Sequence, residues 1–164
     1  MTPYATIDDA DAYFLSRLNS EDWDDASDTE KLQSLNMATR AINNLKFRGS
    51  KTIVLQEHLF PRTYVNRDGV TEVYGIYNND LTITYPAWLI EATCEIAINL
   101  LDGTDMEQET ENLLALGQNY AGVTTNYNPQ LVSEHMRAGI PSIVAWNLLK
   151  PYLINPREIK LTRG

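Results

Sequence analysis

The chain has 164 residues, with 22 acidic and 13 basic side chains, a formal net charge of −9 and one cysteine. That length suits one domain with a buried core, and the apolar content argues against wholesale disorder. The charge disfavours a generic nucleic-acid binder, because phosphate affinity grows with each cation presented; the lone cysteine excludes an internal disulfide.

The charge is also unevenly spread. Residues 1–30 carry nine acids against one base, Arg17, whereas residues 150–164 carry four bases against one acid. An acidic end and a basic tail suggest docking on different partners. The start of the chain lacks the basic and apolar run of a signal peptide, and the longest apolar segment contains two glutamates. Neither export nor a membrane span is therefore expected.

In chain order, Thr6 can cap a first helix with Asp8 and Asp9 in its first turn, followed by Ile7, Ala10, Phe14 and Leu18 at helical spacing. Trp23 reads as a plug over the core. Ser27-Asp28-Thr29-Glu30 is a capping box, and Leu32, Leu35, Ala38, Ile42 and Leu45 form the stripe of a second long helix stopped near Gly49.

Between Ser50 and Tyr85 helical periodicity disappears, with turn signals at 66–69 and 78–80. The segments VTEVYGIY and LTITY are rich in β-branched and aromatic residues and read as a hairpin, with Thr63 to Val65 as a possible third strand. Tyr64, Tyr74, Tyr77 and Tyr85 suit an interface with another chain.

Pro86 to Gly103 is the strongest helix in the chain. Leu89, Ile90, Thr93, Cys94, Ile96, Ala97, Leu100 and Leu101 cover about half its surface, leaving Glu91, Glu95, Asn99 and Asp102 on a narrow polar stripe. Beyond it, Met106 to Leu116 reads as another helix and Gly117 to Pro129 as a loop or irregular strand. A last helix opens at Gly139-Ile140-Pro141, with Ile143, Val144, Leu148 and Leu149 inward, and ends at Lys150-Pro151. The fold class expected is mainly α. It would be a bundle of four to five helices (core 6–49, 86–116 and 140–153) with a β-hairpin inserted at 50–85 and a C-terminal arm at 154–164.

Motifs of catalysis are missing: no phosphate loop, CxxC, HExxH or nucleophile elbow occurs. His58 and His135 read as surface or hydrogen-bonded histidines, and Cys94 as a small buried hydrophobe. Glu91 and Glu95 share a helix face at i and i+4, yet no histidine or third carboxylate completes a site, so a solvated stripe or a row facing a neighbouring subunit is expected. Neither an enzyme nor a cofactor follows from these residues. Single-strand binding by hairpin tyrosines and by Tyr120 to Tyr127 lacks nearby bases beyond Arg62 and Arg67.

Several stretches together carry a resemblance. They are Tyr4-Ala5-Thr6 with Ala10-Asp11-Ala12-Tyr13-Phe14, Trp23 with Ala26-Ser27-Asp28, Ala38-Thr39-Arg40, and Gln56 with Phe60-Pro61-Arg62. Pro86 with Glu91-Ala92, and Ile140-Pro141 with Leu148-Leu149-Lys150-Pro151-Tyr152-Leu153, complete the set. From Tyr4 to Leu153 the chain resembles the head-to-tail connector, or portal adaptor, proteins of tailed bacteriophages. Their relatives are often labelled DnaT-like single-stranded DNA-binding proteins, a label the net charge argues against.

The resemblance implies a non-enzymatic virion protein assembled in the host cytoplasm and resident at the head–tail junction. Commonly twelve copies would form a ring under the portal protein, extending the DNA channel and docking a tail, nozzle or stopper protein. DNA would pass without specific binding, and no membrane would be involved. The arm would dock on the portal through Asn155, Pro156, Arg157, Ile159, Lys160, Leu161 and Arg163. Tyr74, Ile76, Tyr77, Glu91 and Glu95 would face a neighbouring subunit or the tail. The alternative is a single-stranded DNA-binding accessory protein of phage replication or packaging.

Overall fold

The computed structural model describes residues 2–80, 82–105, 117–120, 123–126 and 133–154. Its helices are α1 (Ile7–Phe14), α2 (Glu21–Asp24), α3 (Asp28–Asn43), α4 (Ala87–Leu101), α5 (Glu134–Arg137) and α6 (Ile143–Leu149), the last running into a 3₁₀ turn at Lys150–Tyr152. Its strands are β1 (Ser50–Lys51), β2 (Arg62–Val65), β3 (Thr71–Tyr74), β4 (Ile76–Tyr77), β5 (Ile83–Thr84), β6 (Gly117–Tyr120) and β7 (Val123–Asn126).

Both capping boxes form. The Thr6 and Ser27 hydroxyls accept from the backbone N–H groups of Asp9 and Glu30, whose carboxylates accept in return from the Thr6 and Ser27 N–H groups. In α4 the apolar surface wraps further round than a single stripe. Leu89, Ala92, Thr93, Cys94, Ile96, Ala97 and Ile98 are all buried, with α3 and α6 as its main neighbours. Gly103 takes a φ of +85°, the left-handed turn that a glycine after a helix permits. Trp23 is the expected plug: it is buried on Phe14 and donates its indole N–H to Asp11 at 2.8 Å.

The chain is a mixed α/β protein rather than a mainly helical bundle. The strands are only two to four residues long, so period-two alternation was too brief to weigh against the helices. Their side chains nevertheless build core, because Phe60 and Tyr74 from the β region are buried with Phe47 and the helices. The segment VTEVYGIY does not form one strand. It breaks at Gly75, where φ is +87°, so β3 pairs back with β2, and β4 pairs with β5 in a separate sheet. Thr63–Val65 thus belongs to the central strand of a β1-β2-β3 sheet.

Other expectations shift too. Leu18 is 86% exposed because α1 stops at Phe14, and Ile143 and Val144 of α6 face outward while Ala145 and Leu149 are buried. The expected helix 106–116 lies outside the described residues, whereas β6 and β7 make an antiparallel hairpin within 117–129. Among the described residues no helix is long and apolar enough to cross a membrane.

Two measurements probe this core. Leu89 is fully buried and Leu100 only partly, so Leu89→Ala should cost about 2–5 kcal/mol in a denaturant melt and Leu100→Ala distinctly less; equal costs would contradict this packing. The second concerns His58, which is buried beside Tyr4 with neither ring nitrogen hydrogen-bonded. Burial holds its pKa below the ordinary histidine value, opposed by Glu57 with a carboxylate oxygen 3.7 Å away. As pH falls below about 6.5 the unfolded chain takes up a proton that the native state refuses, so His58 makes the fold less stable toward acid. The stability gap between wild type and His58→Gln should therefore shift against wild type as pH is lowered from about 7.5 to about 5.5. A gap independent of pH would refute that assignment.

Candidate functional site

The stretch 44–67 holds five bases against one acid, in a chain that is otherwise acidic. The structure folds this stretch back on itself. Arg62 on β2 is buried, and its guanidinium donates to four carbonyls: Arg48 at 3.0 Å, Phe47 at 3.2 Å, Gly49 at 2.6 Å and Leu59 at 3.4 Å. The planar fork meets several acceptors at once, which a lysine ammonium on one stem does not reproduce. Gly49 must be glycine: φ is +72°, and a Cβ there would lie 2.0 Å from the Thr63 carbonyl oxygen.

With 47–49 held in this way, Arg48 points at the C-terminal segment. Its backbone N–H donates to the Tyr152 carbonyl at 2.9 Å and its Nε to the Leu153 carbonyl at 2.9 Å, while its guanidinium sits 5.8 Å from the centre of the Tyr64 ring. Ile154 N–H donates to the Lys46 carbonyl, closing a short antiparallel contact between 46–48 and 152–154.

Around this contact lies an aromatic cluster. Tyr152 stacks on Trp88 with centroids 3.9 Å apart and planes 9° from parallel, and Tyr74 meets both edge-on. Burial and the Glu72 carboxylate, which accepts from its hydroxyl, raise the pKa of Tyr74. Tyr64, Trp88 and Tyr152 remain half-buried with Arg48 at the same place, and Lys46, whose carbonyl accepts from Ile154 N–H, is exposed. Half-open aromatic rings beside cations can stack bases while the charge meets phosphate.

The residues expected to face another subunit scatter. Ile76 is exposed and Tyr77 half-exposed on β4, but Tyr74 is inside the aromatic cluster. Glu91 is half-buried, and Glu95 corrects the polar-stripe reading outright. Glu95 is 2% exposed and belongs to its own chain's interior: Arg17 Nε lies 2.8 Å from one carboxylate oxygen, and the Tyr13 hydroxyl donates to the same oxygen at 2.8 Å. The reason is that α1 and the turn after it close over that side of α4, a contact that helical periodicity does not encode. Asn155, Pro156, Arg157, Ile159, Lys160, Leu161 and Arg163 lie outside the described residues.

Sequence reasoning missed Arg48, Trp88 and Tyr152 as a group. The run of bases at 44–67 was the available signal, though their meeting with 152–154 needed the fold. His135 Nδ1 lies 2.9 Å from the Ile140 carbonyl oxygen, and Cys94 is buried with its thiol pushed up to about 12 by desolvation. Among the described residues no group of three or more His, Cys, Asp or Glu side chains could hold a metal ion.

A second surface is apolar. Ile53, Val54 and Leu55, in the loop after β1, are exposed, and a groove of about 900 Å³ runs between α3, α4 and the turn Ala138–Pro141.

Comparison with curated proteins and with solved structures gave no match. The model of one family matches residues 2–164, nearly the whole chain. With that coverage, the chain belongs to the family described as "Putative DnaT-like ssDNA binding protein".

Proposed function

We propose that this protein binds single-stranded DNA at its basic, aromatic end, without catalysing a reaction. The family description supports this reading. The observation that carries it is the Arg48 guanidinium facing the half-buried Tyr64 ring while Arg48 also binds the 152–153 carbonyls, next to the half-buried Trp88–Tyr152 stack. Net acidity does not oppose local binding, because the acids of residues 1–30 belong to a different stretch from the bases of 44–67. The strand would lie across the ring of Tyr64, its phosphates meeting Arg48 and Lys46, with stacking tolerant of sequence.

A second reading is the phage head-to-tail adaptor, favoured by the exposed aliphatic residues at 53–55 and at Leu15 and Leu18, which suit a protein partner. In it, copies form a ring of about twelve under the portal, at the head–tail junction of the virion. The basic arm 155–164 then docks on the portal, a tail component binds the ring, and DNA passes through without a specific site.

Fluorescence anisotropy with labelled oligo-dT over a salt series separates the two. Single-strand binding should weaken steeply with salt, and Tyr64→Ala should cost about 1–3 kcal/mol of affinity. Arg48→Ala should lower the salt slope by about one. Absence of binding at low salt would remove the first reading. For the second, deleting residues 155–164 should leave the thermal melt unchanged and abolish co-sedimentation with portal rings; retained co-sedimentation would sink the arm assignment.

A further inference from the structure

Trp88 meets three other rings of the cluster at an angle: Phe60 at 76° with centroids 5.5 Å apart, Tyr74 at 83° and 6.1 Å, Phe47 at 35° and 6.4 Å. Tyr152 differs, lying on the indole at 3.9 Å and 9° from parallel. Aromatic side chains favour edge-on or offset contacts with centroids about 4.5–7 Å apart. A near-parallel ring at this shorter distance is how a nucleic-acid base lies on an aromatic platform.

The same segment also occupies the cation. Arg48 Nε donates to the Leu153 carbonyl at 2.9 Å, so a carbonyl oxygen stands on the guanidinium where a phosphate oxygen would stand. What holds the segment is short. Its pairing with 46–48 is a single bridge between Phe47 and Leu153, with one backbone bond from Arg48 N–H to the Tyr152 carbonyl and one from Ile154 N–H to the Lys46 carbonyl. Leu149 is buried, but beyond it Lys150, Pro151 and Ile154 are exposed and Tyr152 and Leu153 only half-buried. A segment with few buried contacts and a short hydrogen-bond ladder belongs to the part of a fold that opens at low cost.

We propose that residues 150–154 are a self-occupying strap, with the Tyr152 ring in the place of a base and the Leu153 carbonyl in the place of a phosphate oxygen, and that a single strand binds by displacing it. This inference rests on the reading of this end as a single-strand site and adds its regulation. Opening at the exposed Lys150–Pro151 frees one face of Trp88 for a base and Arg48 Nε for a phosphate. The apparent affinity is then that of the open form scaled by the fraction open, so loosening the strap strengthens binding.

Two variants of the full chain loosen the strap in different ways. Tyr152→Ala removes the ring. Ile154→Pro removes the N–H that bonds the Lys46 carbonyl, at a side chain 54% exposed and after Leu153, whose φ of −78° and ψ of 154° suit the position before a proline. With folding checked by circular dichroism, both should bind labelled oligo-dT about threefold or more tighter than wild type in fluorescence anisotropy. In wild type, the Arg48 and Ile154 amides should exchange hydrogen faster at saturating oligo-dT, because their bonds between 46–48 and 152–154 break. Equal or weaker binding by a folded variant, or amides slowed or unchanged by bound oligo-dT, would overturn the strap and leave the single-strand site standing. Failure of wild type and both variants to bind at low salt would refute the site itself, and the strap with it.

Discussion

The buried guanidinium of Arg62 is the constraint on which the β half of this protein depends. It has no carboxylate partner among its hydrogen bonds and is satisfied by the carbonyls of Phe47, Arg48, Gly49 and Leu59. A charge taken out of water needs such compensation, and the four acceptors are in place only when the segment after α3 and the segment before β2 lie side by side. The close approach at Gly49, where a side chain would run into the Thr63 carbonyl, is the steric counterpart of the same arrangement. Once 47–49 is fixed, its outer edge is free to take the C-terminal segment, and Arg48 binds the Tyr152 and Leu153 carbonyls there. One buried cation therefore links the end of a helix, a three-stranded sheet and the far end of the described chain.

The helical half is organised by the opposite charge. Glu95, deep in α4, is held by Arg17 and Tyr13, so the acidic N-terminal region is tied to the hub through its single base. Breaking such a pair would strand a buried carboxylate, whereas the many exposed acids of α1 and α2 cost the fold little wherever they point. The charge is separated along the chain: acids crowd the first thirty residues and bases crowd 44–67. That separation lets a net acidic chain present a basic aromatic surface.

Local chemistry was legible in the sequence wherever a few neighbouring residues decide the outcome. Ser27 and Glu30 close a capping box whatever surrounds them, as do Thr6 and Asp9, and Gly103 ends α4 because glycine tolerates the positive φ required. The apolar density of α4 likewise announced a hub. The β content was underweighted for a physical reason: strands of two to four residues give almost no periodic signal, and the break at Gly75 divides one apolar run between two sheets. Which strand Thr71–Tyr74 joins depends on pairing energies across the chain, and β2 offered four residues in register.

The sequence by itself determined the helix caps, the central helix, the buried Trp23, the inert Cys94 and the split of charge along the chain. Those features follow from hydrogen-bond donors, residue volume and charge that act over a few positions. The tertiary structure alone decided that Glu95 is an internal ion pair rather than a surface stripe, and that Tyr74 is core while Ile76 is exposed. It also brought Arg48, Tyr64, Trp88 and Tyr152 to one place. These outcomes hang on contacts between residues up to about a hundred positions apart, and such contacts are settled by packing and by the need to satisfy buried charge, which no local pattern records.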